Sequence, residues 1–339
     1  MMLSISSAVR SGGRFVHQFN EHHPEFKGFS AFYDAEIMPR LAGDEARRAA
    51  AQTKMYRALA VVFSVMALTI IFILVKYAVL PVNPLVPIMF IIMVGIGSLY
   101  ITSYVLFKDI EAATKQNVLA GICKFLGWSF QEQFEPPVLF DSFVNLGLLP
   151  SRFTKSYFED RIAGIAHGAR FEFFESHLKN KNSGGTKNEA VTVFRGQLLA
   201  LEFNQKFSGR TVVLRDKGWL QGEKKQDMKR VGLVDPVFEK IFEAYGTDQV
   251  EARYLLTPTF MQRLVDLENS VDGKKIRFGF TGGLLLIAVE TANRYESGSM
   301  FKPLIDAERT QKVLDEIGAV YDVIDGVMGV RSNAIKGHD

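Results

Sequence analysis

ALAVVFSVMALTIIFILVKYAV, residues 58–79, and LVPIMFIIMVGIGSLYITSYVLF, residues 85–107, stand almost end to end in this chain. Lys76 is the lone charge in the first run, and the second carries none. As a helix rising about 1.5 Å per residue, each is about 30 Å long, the thickness of a bilayer's hydrocarbon core. Lipid offers no partner to a free N–H or C=O, so both runs are predicted to be helical spans. Pro81, Asn83 and Pro84 between them are turn formers suited to a tight hairpin. Lys76 can snorkel to the far interface, with Tyr77 beside it as an aromatic anchor.

Working outward, Arg40, Arg47, Arg48, Lys54 and Arg57 precede the first span, and Lys108 and Lys115 follow the second. The connecting segment has no basic residue. The positive-inside bias therefore places both termini in the cytoplasm. Ala60, Ser64 and Ala67 recur at helical spacing in the first span, as Gly95, Ser98 and Thr102 do in the second; small residues let helices approach in lipid, so these faces are expected to pack together. Neither span holds an acidic residue or a histidine, which argues against a transporter built from this chain alone.

The 339 residues suffice for this hairpin and one sizeable soluble domain. A net charge of +3 is too small to imply a nucleic-acid partner. The single cysteine, Cys123, excludes an internal disulfide framework and a cysteine-cluster metal site. The N-terminus lacks the apolar core of a cleavable signal peptide. The expected organisation is a cytoplasmic helical segment (1–57), a transmembrane hairpin (58–107), a juxtamembrane helix and linker (108–150), a cytoplasmic α+β domain (151–328) and a disordered tail (329–339).

The stretch from Gly43 reads as a helix that Asp44 caps. Ile110, Ala113, Val118, Ile122, Phe125 and Leu126 form another helical stripe, with Gly127 as its stop. Beyond Tyr157 the chain turns strand-rich. RIAGIAHG and ARFEFFESHL pair as a hairpin with Gly168 at the turn, and Ser208-Gly209 is expected to join two more strands as a hairpin. In KKIRFGFTGGLLLIAVE, Gly282-Gly283 supplies the positive φ of a two-residue turn, and LLLIAV, apolar on both faces, reads as a central strand. Asp235-Pro236 and Thr257-Pro258 open two helices, and a last helix covers about 306–327. Strands pairing as local hairpins, with helices set apart, spell α+β with an antiparallel sheet and packed helices.

LLPSRFTKSYFEDRIAGIAHGARFEFFESHL, VFRGQLLALEFN and VDPVFEKIFEAYGTDQVEARYLLTPTFMQRL together resemble a bacterial membrane family filed as domain of unknown function 3137. The likeness runs over about 149–290 and includes the two helices before it; the spacing of EDRIAG, FRG and ARYLLTP carries it. The resemblance implies a bacterial inner-membrane protein with a cytoplasmic domain. It implies no reaction and no catalytic or ligand residue.

The sequence carries no Walker loop, no GxGxxG after a strand, no HExxH and no GxSxG, and no cofactor or metal is expected. Glu175 and His177 share one face of a strand, an arrangement that would permit an acid–base pair, although a solvated strand end is the simpler reading. Arg195 sits in an apolar strand and, if buried, needs a carboxylate from Glu202, Asp248 or Glu251. Asp248, Glu251 and Arg253 form the densest polar cluster, and with Arg195 they are the candidate recognition site; the simpler reading is a helix cap and a surface pair. Arg47, Arg48, Lys54, Arg57, Lys108, Lys115 and Trp128 are the candidate lipid contacts. The expected partners are the lipid bilayer and either a protein or a second copy of the chain. The favoured role is a non-enzymatic membrane scaffold or adaptor; the alternatives are an enzyme acting on a membrane-proximal substrate and a sensor of anionic lipid.

Overall fold

The computed structural model describes residues 8–11, 14–77, 85–181, 190–203, 207–215, 227–270, 274–291 and 303–328. The expected turn at Pro81, Asn83 and Pro84, the Tyr77 side chain and the expected tail from Gly329 lie outside what is described. The chain divides into two compact units, residues 1–121 with 296–313, and residues 122–295 with 314–339.

In the first unit, β1 (Ala8–Ser11) and β2 (Arg14–His17) form an antiparallel hairpin that the sequence reading did not contain. A short α1 (Phe29–Phe32) follows, its first turn satisfied by Glu21, whose carboxylate accepts from the Gly28 and Ser30 N–H groups at 2.8 and 2.9 Å. A π-turn (Tyr33–Ile37) leads into α2 (Met38–Tyr77). Tyr33 is fully buried, its ring against Phe19. Helix α2 is already under way at Gly43, so Asp44 does not cap it; its carboxylate instead accepts from Asn117 Nδ2 at 2.7 Å, across to α3 (Leu85–Phe125). The helical stripe after the second span is thus the continuation of that span, and Gly127, at φ +72°, follows its end.

The helical stretches Pro24–Lys76 and Leu85–Phe125 are long and apolar enough to cross a membrane. Leu68, Phe72, Val75, Met89, Phe90, Met93 and Tyr100 all project outward. The two helices pack through Gly95, where an added Cβ would lie 2.2 Å from Met66 Sδ. Ser98 and Thr102 are half-buried beside it as expected, but Ala60, Ser64 and Ala67 face outward. Further along, Ala51, Met55, Phe107 and Ile110 close a small core with Leu304.

The second unit is built on an antiparallel sheet. In chain order its elements are β3 (Ser129–Gln133), α4 (Phe140–Asn145), β4 (Lys155–Ala166), β5 (Ala169–Lys181), β6 (Ala190–Glu202), β7 (Thr211–Arg215), β8 (Lys229–Arg230), α5 (Pro236–Ile241), β9 (Phe242–Gly246), α6 (Gln249–Leu255), α7 (Pro258–Ser270), β10 (Lys274–Thr281), β11 (Leu284–Glu290) and α8 (Ala307–Met328), the last beginning in the first unit. The nine strands lie in the order β3-β4-β5-β6-β11-β10-β7-β9-β8. β4–β5 turns at His167 and Gly168, and β10–β11 at Gly282 and Gly283, all at positive φ, as two-residue hairpins need. β11 is central, between β6 and β10, and is buried on both faces.

One sheet face packs on α4 and the segment after it, through Phe143, Leu148, Phe174, Phe194, Leu198 and Leu286. On the other, Phe260 of α7 meets Phe280, and Tyr321 of α8 stacks on Trp128. The α+β class stands. One pairing differs from expectation: β6 and β7 are not neighbours, so Ser208-Gly209 belongs to a crossing connection, not a hairpin. Lys229 and Arg230 pair with Gly246 and Tyr245 at the sheet edge, beside a buried Met228.

Candidate functional site

The polar cluster on α6 is first a structural clamp. Asp248 caps the helix, its Oδ1 accepting from the Val250 and Glu251 N–H groups at 2.8 and 3.0 Å. The Glu251 carboxylate reaches back to the connection after β6 and accepts from the Ser208 and Gly209 N–H groups at 2.7 and 2.6 Å. Arg253 Nε donates to the Gly232 carbonyl at 3.3 Å. All three side chains thus hold backbone in place. Glu251 and Arg253 do not pair with each other, as the simpler reading had them, because backbone groups claim both.

Arg195 does not join them. It is exposed on β6, opposite His177 of β5. Among the described residues of the domain, the buried arginine is Arg277 on β10, which donates to the Leu148 carbonyl at 3.0 Å and pairs with Glu290 Oε2 at 3.2 Å. Burial lowers its pKa, and Glu290 opposes that shift. Sequence patterning hid this because Arg277 occupies the strand face opposite Ile276, Phe278 and Phe280, where alternation predicts solvent. The α4 segment covers that face instead; a Cβ on the neighbouring Gly279 would lie 2.8 Å from Leu146 Cδ1.

Arg195 lines a second constellation. Together with Tyr157, Glu159, Glu175, Ser176, His177, Lys179 and Gly196 it borders a depression of about 160 Å³. Glu175 and His177 share a face, as the strand period requires, yet each has its own partner. His177 Nε2 lies 2.8 Å from Thr192 Oγ1, and Gln197 Nε2 donates to Glu175 Oε1 at 3.4 Å. Burial lowers the His177 pKa, Lys179 and Arg195 lower it further, and Glu159 opposes them. Among the described residues, no group of three or more His, Cys, Asp or Glu side chains is placed to hold a metal ion.

The candidate lipid contacts divide. Lys54, Arg57 and Lys108 are exposed, as is Arg47, which pairs with Asp44 at 3.4 Å, and Lys115 is half-buried. Arg48 turns inward, its guanidinium on Glu45 at 2.7 Å and on Gln52. Trp128 is only 6% exposed, wedged against Phe171 and Tyr321 with its indole N–H donating to the Ile165 carbonyl at 3.2 Å. Burial therefore removes Arg48 and Trp128 from any lipid-facing set.

A third group escaped the sequence reading: His167, at the β4–β5 turn, has Nε2 2.5 Å from Asp325 Oδ1 of α8 and its ring against Tyr321. Its only sequence signal was the Gly168 beside it, which marks the turn but not what the turn touches.

No curated protein matches the chain. Among solved structures it is similar to the crystal structure of the mycobacterial trehalose monomycolate transport factor A, TtfA, at 12% identity over 63% of this chain and 96% of that one, with a TM-score of 0.33. That likeness is too low to bear on fold or function. Residues 192–328, which include Arg195, Asp248, Glu251 and Arg253, match the family described as "Protein of unknown function (DUF3137)", the one its motifs resemble.

Proposed function

We propose that this chain is a multi-pass membrane scaffold or adaptor, both termini cytoplasmic, whose sheet domain docks a protein partner. One observation carries the docking: α6 is held by its polar side chains and turns apolar ones outward. Val250 and Tyr254, one helical turn apart, are 78% and 70% exposed. Val234 and Val237, on the segment that Arg253 ties to α6 through Gly232, are 93% and 53% exposed. Single exposed apolar residues are ordinary, but a tyrosine and three valines on two linked, hydrogen-bonded segments suit the anchored core of an interface. The partner fitting them presents an apolar pocket for the Tyr254 ring.

The outward apolar faces of α2 and α3 support the membrane anchor, and the basic flanks support its orientation. The bacterial inner membrane follows from the resemblance of the motifs. The experiment is co-purification from gently solubilised native membranes, comparing the unaltered chain with Val250→Glu/Tyr254→Glu. A partner held by the first and lost by the second supports the reading; equal retention by both, or none by either, defeats it.

A further inference from the structure

The depression on β4, β5 and β6 is organised by charge. Cross-strand register sets Lys155 opposite Lys179, then Tyr157 opposite His177 and His177 opposite Arg195, then Glu159 opposite Glu175. These residues lie two apart along each strand and so share a face. Two like-charge pairs, one cationic and one anionic, thus sit on either side of an aromatic row. Like charges directly opposite on neighbouring strands are destabilising, and exchanging one residue of each pair would have made two ion pairs instead. The chain keeps the costlier arrangement, which leaves a fixed surface dipole.

We propose that this face binds a small zwitterion, its anionic group set toward Lys179 and Arg195 and its primary ammonium toward Glu159 and Glu175. The two like-charge rows are four residues of extended strand, roughly 13 Å, apart. Arg195, however, stands in the row between them, two residues or roughly 7 Å from the glutamates, and Lys179 Nζ leans over the Tyr157 ring of that same row, which suits a phosphate or carboxylate and an ammonium a few bonds apart. A depression of about 160 Å³ has room for such a molecule. The lining is already set in place. Thr192 engages the His177 ring, Lys179 Nζ lies 5.4 Å from the centre of the Tyr157 ring, and Gln197 holds Glu175. The lowered pKa of His177 keeps its ring neutral at pH 7, so it adds no third cation between the two ends. The site shares no residue with the α6 surface, and either assignment can fail without the other.

The test is calorimetric titration of the full-length protein in detergent with O-phosphoethanolamine, and separately with inorganic phosphate and with ethanolamine. The zwitterion is expected to bind with a Kd of about 1 mM or tighter, and each half at least about tenfold more weakly. Arg195→Gln and Glu175→Gln should each weaken it about tenfold, with Tyr254→Glu leaving it unchanged. Reconstitution into phosphatidylcholine bilayers with and without phosphatidylethanolamine separates the sources: loss of soluble-ligand binding only where phosphatidylethanolamine is present identifies a lipid headgroup, and unchanged binding a free zwitterion. Phosphate alone binding as tightly, affinity untouched by Arg195→Gln, or no saturable heat up to about 10 mM would overturn the proposal.

Discussion

Gly196 of β6 lies so close to Val289 of β11 that a Cβ built on it would stand 1.9 Å from the Val289 carbonyl oxygen. The glycine of FRG is therefore a contact requirement between two central strands, since a backbone oxygen cannot swing aside as a side chain can. Gly196→Ala should destabilise the domain by about 3 kcal/mol, lowering Tm by roughly 6 °C or more. Gly232→Ala is the control: nothing lies within 4 Å of a Cβ there, and its melting should stay within about 1 °C. Equal melting of both variants and the unaltered protein would refute the contact.

The Arg277–Glu290 pair gives a second test. Arg277→Leu takes from the Glu290 carboxylate the buried cation that it pairs with at 3.2 Å, and should cost about 3 kcal/mol. Arg277→Leu combined with Glu290→Leu should cost less than the single change, because the carboxylate that faced Arg277 goes with it. Urea unfolding of the three proteins reads the difference; a double variant less stable than Arg277→Leu would contradict this account of the pair.

His177 predicts a pH dependence. Its pKa lies below the usual 6.5 because burial, then Lys179 and Arg195, disfavour the charged ring, while Glu159 opposes and Glu175 borders the same depression. At pH above about 6.5 the ring is neutral in both folded and unfolded chains and contributes no slope. As pH falls below about 6.5 the unfolded chain takes the proton first, so stability drops until the folded ring is protonated too. His177→Gln should lose less stability between about pH 7 and pH 5 than the unaltered protein. Identical losses in urea midpoints would show that the ring titrates alike in both states.

Trp128 separates packing from lipid contact. Its burial against Phe171 and Tyr321 predicts that Trp128→Ala costs about 3–5 kcal/mol. In a Trp219→Phe background, where Trp128 is the one remaining tryptophan, its emission should not shift when anionic vesicles are added. A blue shift on vesicle addition would place the indole at a lipid surface after all.

What the sequence revealed depended on how local the signal was. The spans announce themselves through length, Gly282-Gly283 through backbone freedom, and the helix starts at Asp235 and Thr257 through side chains that cap within three residues: Asp235 Oδ1 accepts from Val237 and Phe238, and Thr257 Oγ1 from Phe260. β3 and β9, five residues each, were missed because their register comes from distant strands: Ser129 pairs with Ala163, and Phe242 with Arg215. The candidate site was half legible for the same reason. The two-residue period put Glu175 and His177 together, but only pairing with β6 brings Arg195 to them. Only tertiary contact shows that Glu251 and Arg253, beside the locally legible Asp248 cap, spend their polar groups on distant backbone and leave Val250 and Tyr254 to face outward.

The central claim is that this outward face of α6 holds a protein partner at the membrane. The most direct measurement is quantitative comparison of the proteins co-purifying from solubilised native membranes with the unaltered chain and with Val250→Glu/Tyr254→Glu, after matched Tm values show both are folded. The account predicts a defined partner present in near-stoichiometric amount with the first and reduced at least about tenfold with the second. The same proteins at the same levels with both, or no partner with either, would contradict it.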